Sequence, residues 1–114
     1  MIRNSTNGKV ICSNELIAET FWQRLTGMTI RKFSSELDGI VFFNCNAIHT
    51  FGMKFELDVL FVDTADMRIV SIHNNVKPWK SIMAGRKKCL TIELPAGTAD
   101  ENLCKTGDIL EFRR

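Results

Sequence analysis

Absences bound this sequence first. No apolar run approaches the roughly eighteen residues that a membrane-spanning helix needs, so no spanning helix is expected. The opening stretch Met1-Ile2-Arg3-Asn4-Ser5-Thr6-Asn7-Gly8 lacks the apolar core of a signal peptide. The four cysteines, Cys12, Cys45, Cys89 and Cys104, show no C-x-x-C spacing and are too sparse for a disulfide scaffold. Together these absences lead to the expectation of reduced thiols, a cytoplasmic location and no membrane. There is no P-loop, no G-x-G-x-x-G and no G-x-S-x-G, which leaves no phosphate-cradling loop and no nucleophile elbow. No repeat, low-complexity tract or linker divides the 114 residues, so a single domain over 1–114 is expected. A chain of this size buries about two-thirds of its unfolded surface, enough for an independent core.

What is present is ordinary globular composition, 45% hydrophobic and 25% charged, with a formal net charge of +2. That charge is too small to argue for nucleic acid, but its distribution is uneven. Between Met67 and Ile92 there is no acidic residue, while Arg68, Lys77, Lys80, Arg86, Lys87 and Lys88 all fall there. Glu56, Asp58, Asp63 and Asp66 cluster just before it.

Hydrophobic patterning supplies the elements. Lys9–Cys12 predicts a short strand, and Ile40–Phe43 a core strand bounded by Asp38-Gly39 and Asn44. Leu57–Val62 and Arg68–Ile72 predict a hairpin across Asp63-Thr64-Ala65-Asp66. Lys88–Leu94 alternates, with Cys89, Thr91 and Glu93 opposite Leu90, Ile92 and Leu94, and Asp108–Phe112 predicts a closing strand. Apolar positions at Ile17, Phe21, Trp22, Leu25 and Met28 predict an amphipathic helix ended by Gly27. Thr98-Ala99-Asp100-Glu101 has the form of a capping box, predicting a short helix that ends near Gly107. Residues 74–85, with Pro78, predict an extended loop. Many short strands without a βαβ alternation imply a mainly β, compact antiparallel barrel or sandwich-like single domain with one or two short helices.

Three sets of residues carry candidate chemistry. Cys45, His49 and Met53 are spaced four and four, so an extended segment would turn all three to one face. Thiolate, imidazole and thioether form a soft set suited to Cu(I). The bland alternative is that Met53 and Cys45 pack in the core and His49 bonds to backbone. Cys45 with His49 could also be a nucleophile and its base, oriented by Asp58 or Asp63, as in a small hydrolase or transferase. Asp58 interrupts an apolar strand; if it faces inward it must be paired, with Arg24, Arg31 or a backbone turn as candidates. Finally, Lys77-Pro78-Trp79-Lys80 and Arg86-Lys87-Lys88 set cations around a tryptophan, able to hold a phosphate and stack a ring. The commoner fate of such a stretch is a solvated loop.

Ordered motifs run through nearly the whole chain. Ala18, Arg24, Gly27, Met28 and Arg31, then Gly39-Ile40-Val41-Phe42, His49-Thr50-Phe51-Gly52-Met53, Leu57-Asp58 and Phe61-Val62-Asp63 are followed by Glu93-Leu94, Gly97 and Gly107-Asp108. In that order and spacing the sequence resembles the prokaryotic domain of unknown function 192, departing from it at Thr26, where leucine is usual. The resemblance implies a compact, mostly antiparallel β domain with one or two short helices, and no established catalytic residues to transfer. The expectation is therefore a ligand-binding or accessory module whose surface gathers His49, Phe51, Met53, Asp58, Trp79, Lys80 and Arg86. Its partner would be a small anionic ligand or a protein, with nucleic acid less favoured. No cofactor is expected, with Cu(I) on Cys45, His49 and Met53 as the alternative.

Overall fold

Isoleucine, valine and leucine are the commonest residues in the runs that become strands, and the β-branched ones suit a pleated surface. The protein is described by a computed structural model over residues 1–18 and 33–113. Its strands are β1 (Ile2–Asn4), β2 (Val10–Cys12), β3 (Glu15–Ala18), β4 (Gly39–Phe42), β5 (Ala47–His49), β6 (Leu57–Asp63), β7 (Arg68–Val76), β8 (Ser81–Met83), β9 (Cys89–Pro95) and β10 (Leu110–Phe112). Five form one sheet in the order β3-β4-β9-β6-β7, three form a second in the order β10-β1-β2, and β5 pairs with β8. All named pairings are antiparallel except β3 with β4, where Leu16 lies beside Ile40 in parallel register.

Strand β9 holds the middle of the large sheet, and its register organises the core. Ile92 sits between Val41 and Leu60, and Glu93 between Ile40 and Val59. Because side chains alternate along a strand, these rows belong to opposite faces. One face, with Val41, Leu60, Val62, Ile92 and Leu94, packs on Ile2, Ile11, Cys12 and Leu110 of the three-stranded sheet. The other, with Ile40, Phe42, Val59 and Phe61, is covered by Ile48 and Met53. Both faces are thus closed, so Cys89 through Leu94 are all buried despite their alternating chemistry. The Cα radius of gyration is 12.7 Å, close to the roughly 13 Å of a folded 100-residue domain.

The domain is mainly β, and several finer expectations change. The described sheets keep open edges and do not close into a barrel. No helix occurs among the described residues, and so none there is long and apolar enough to cross a membrane. Ile17 and Ala18, where the first helix was to begin, end β3 instead; the rest of that segment, with Arg24 and Arg31, lies outside the described residues. The second expected helix is a single turn. Asp100, not Thr98, caps it, its Oδ1 accepting from the amides of Asn102 and Leu103 at 2.9 and 3.1 Å. Asp108 Oδ2 then takes the Lys105 amide at 2.9 Å and turns the chain away. A lone turn fixes several dihedrals for few bonds, so it does not extend without a packed face. The expected loop over 74–85 is also corrected: β7 runs on to Val76, and Ser81–Met83 pairs with β5.

Candidate functional site

The segment His49-Thr50-Phe51-Gly52-Met53 leaves β5 with strictly sorted burial: His49 and Phe51 face out, Thr50 and Met53 are buried. Thr50 is the anchor. Its hydroxyl accepts from the Lys80 amide at 2.9 Å and donates to the Lys77 carbonyl at 2.7 Å, tying both ends of the Lys77-Pro78-Trp79-Lys80 turn. Its backbone amide donates to the Lys80 carbonyl at 2.8 Å, and its carbonyl accepts from Trp79 at 3.0 Å and Met53 at 3.2 Å. Thr50 therefore joins two turns, each with a positive φ: Gly52 at 79° and Trp79 at 65°. Glycine meets that demand without penalty. Tryptophan does not, since a Cβ in the left-handed region costs about 1–2 kcal/mol. Pro78 followed by a positive φ is the combination a type II turn uses, and glycine is its usual second residue.

These turns stack three rings. Phe51 lies between His49, centroid 4.9 Å away at 30°, and Trp79, 5.7 Å away at 24°. Trp79 is 69% exposed and Phe51 50%, so the column stands in solvent. The pairs Ala47↔Met83 and His49↔Ser81 put Met83, 72% exposed, on the same outer face as His49. Lys77 and Lys80 are exposed beside Trp79, and neither has an ion-pair partner among the described residues.

Comparison with known proteins establishes the family and the fold. Residues 2–112 match the sequence profile of DUF192, described as Uncharacterized ACR. The chain belongs to this family. It is 30% identical over 118 residues to a UPF0127 protein of Thermococcus sibiricus, covering 98% of this chain and 74% of that one. A solved Sinorhizobium meliloti structure, named as a candidate transcription regulator, is 26% identical with a TM-score of 0.73, covering 85% of this chain and 79% of its own. A Novosphingobium aromaticivorans structure of unknown function is 23% identical, with a TM-score of 0.73 over 86% of this chain and 74% of that one, and shares the fold.

The remaining expected site residues lie apart from the column. Met53 is buried against the large sheet with Ile48 and Val59. Cys45 is buried, and its thiol donates to the Ala47 carbonyl at 3.0 Å. Among the described residues no three of His, Cys, Asp or Glu are placed to share a metal ion. Asp58 points to the face opposite Leu57 and Val59, where its two oxygens accept from the amides of Asn75 at 2.9 Å and Ala99 at 2.8 Å. The backbone-turn alternative thus describes what Asp58 does. Arg86 is paired with Asp63 at 3.1 Å; the Ala65 amide, then Arg86, hold the Asp63 carboxyl below the usual range. Burial pushes the Cys12 thiol up to about 12 and that of Cys104 to about 11, with nearby carboxylates adding to both, so neither is a thiolate at neutral pH.

Sequence reasoning passed over three groups. Thr50 sits inside the motif, but its hydroxyl partners are 27 and 30 residues away. His73 Nε2 lies 3.2 Å from Ser71 Oγ on the edge strand β7, its ring edge-on to Phe61. Glu93 is buried between Ile40 and Val59, and its Oε2 has no hydrogen-bond partner among the described residues. Burial pushes its carboxyl up to about 8.

Proposed function

We propose that this domain is a binding module and that its working face is the column His49–Phe51–Trp79, taking a ring-bearing ligand by flat stacking. The observation that carries this reading is Trp79 itself. An indole 69% exposed is held at a positive φ, where an exposed glycine would serve the turn at less cost. Backbone strain kept at an exposed aromatic supports a role for the ring, since nothing in the core requires it. Lys77 and Lys80 support a ligand with negative charge. Met53, Asp58 and Arg86 drop out of the face because each is engaged elsewhere. A reducing, cytoplasmic setting belongs to the same proposal, supported by the burial of all four cysteines.

The test is two-dimensional NMR with ring-bearing probes: adenosine, adenosine monophosphate, cellobiose and indole. At least one should shift the Thr50, Phe51 and Gly52 amides and the Trp79 indole N–H, while the Ser71 and His73 amides stay in place. Silence at those resonances with all four probes would overturn the proposal.

A further inference from the structure

Resting on that reading, we infer that the ligand is a nucleotide, its base stacked on the open face of Trp79 and its phosphate held between Lys77 and Lys80. Three observations lead there. First, the rings are stacked on one another rather than laid side by side. Phe51 stacks against both other rings, and Trp79, with one ring neighbour among the described residues and 69% exposure, presents the most open indole face of the column. That surface fits one more ring. It is far smaller than the roughly 800 Å² per partner of a stable protein interface.

Second, the two cations are placed by the same turn that presents the ring. Lys77 and Lys80 are its first and last residues, tied together through the Thr50 hydroxyl. The Cα atoms at the ends of such a turn lie within about 7 Å. Two flexible ammonium-bearing chains thus start close together on the turn that carries the indole, each without an ion-pair partner among the described residues. Third, no acidic residue occurs from Met67 to Ile92 to compete for them. A neutral sugar would use the ring and leave both charges idle. A simple anion would use the charges and leave the strained, exposed indole without purpose. A nucleotide uses both, through base–aromatic stacking and ammonium–phosphate attraction.

The same chemistry is offered by a free mononucleotide and by a nucleotide within a single strand, and the experiment separates them. Amide NMR titrations on the whole protein use adenosine monophosphate, adenosine, a short oligodeoxythymidylate and cellobiose. Adenosine monophosphate should bind more tightly than adenosine. Lys77→Gln and Lys80→Gln should each weaken the monophosphate by about two- to fivefold, as for an exposed charge pair, and leave adenosine unchanged. Trp79→Leu should weaken both by about 5- to 150-fold, the loss of one stacked base, with amide dispersion confirming that the variant is folded. Tighter, steeply salt-dependent binding of the oligonucleotide assigns the source to a strand; equal or weaker binding assigns it to the free nucleotide. If cellobiose or adenosine shifts the column while the phosphate adds nothing and the lysine variants change nothing, the nucleotide assignment falls and the platform stands. If none of these probes shifts the column, the nucleotide assignment falls, and if indole is silent as well, the platform falls with it.

Discussion

Replacing Glu93 by glutamine should turn a domain that weakens with rising pH into one that weakens far less. The carboxyl lies in the central strand with Ile40 on one side and Val59 on the other, and burial raises its ionisation from 4.5 to about 8. Between those two values the folded chain keeps a proton that the unfolded chain has released. The folded state binds more protons there, so stability is complete below about 4.5 and is lost as pH climbs through about 8. Each unit is worth about 1.4 kcal/mol. The interval from 4.5 to about 8 therefore withdraws roughly 5 kcal/mol, an appreciable part of the 5–15 kcal/mol that holds a typical domain. At pH 7 about 3 kcal/mol of it is already gone.

Urea denaturation of the two proteins at pH 5, 7 and 9 measures this directly, because every other titrating group cancels in the difference between the curves. Glutamine brings its own penalty, an unpartnered amide costing about 1–3 kcal/mol. The variant should accordingly be the weaker protein at pH 5 and the stronger at pH 9, with the curves crossing between. Parallel curves, or a wild type that gains on the variant as pH rises, would refute the reading of Glu93 as a buried carboxyl that keeps its proton in the folded chain.

Thr50→Val keeps the shape of the side chain but leaves the Lys80 amide and the Lys77 carbonyl without their hydroxyl; it should cost about 2 kcal/mol in denaturation and shift the Trp79 indole resonance, while Thr50→Ser restores both. Trp79→Gly should be more stable than Trp79→Ala by about 1 kcal/mol, since both lose the ring and only glycine relieves the 65° φ; the reverse order in thermal melting would show that the turn is not strained. Gly39→Ala would set a methyl 2.9 Å from Cys12 Sγ and 3.4 Å from Leu94; overpacking of about 1–3 kcal/mol is expected, and Cys12→Ala in the same chain should recover most of it.

The sequence was legible wherever one property decided the outcome. Ile40–Phe43 and the run Leu57–Val62 are apolar, β-prone and bounded by turn residues, and they became β4 and β6. The short strands β1, β5 and β8 were not legible, because partners distant in sequence define them, as Met83 does for Ala47. The alternation in β9 could not show that Glu93 is buried: period two names two faces but not whether both are covered. Thr98 and Asp100 competed as caps, and Asp100 won by bonding the amides two and three residues on. His49, Phe51 and Trp79 were named from the sequence, yet their stacking was hidden, since it depends on one hydroxyl bridging segments about 30 residues apart.

Two departures from local rules, Glu93 and Trp79, stand out among the described residues. Buried polar side chains here are spent on holding turns. Asn4 bonds the Leu103 carbonyl and Asp108, Asp58 takes two amides, Thr50 ties the 77–80 turn, and Thr91 donates to the Cys45 carbonyl. Glu93 alone in that buried set has an oxygen without a partner among the described residues. Trp79 is the one bulky aromatic among the non-glycine residues described at positive φ. Folding alone favours neither, since leucine at one site and glycine at the other would satisfy packing and turn. Ile48 and Met53 lie in the same cluster as Ile40 and Val59, the residues flanking Glu93. The strand that carries His49 outward therefore covers, with its inward side, the sheet face that holds the carboxyl. Natural chains keep such violations where function requires them, and here both lie on one side of the central sheet.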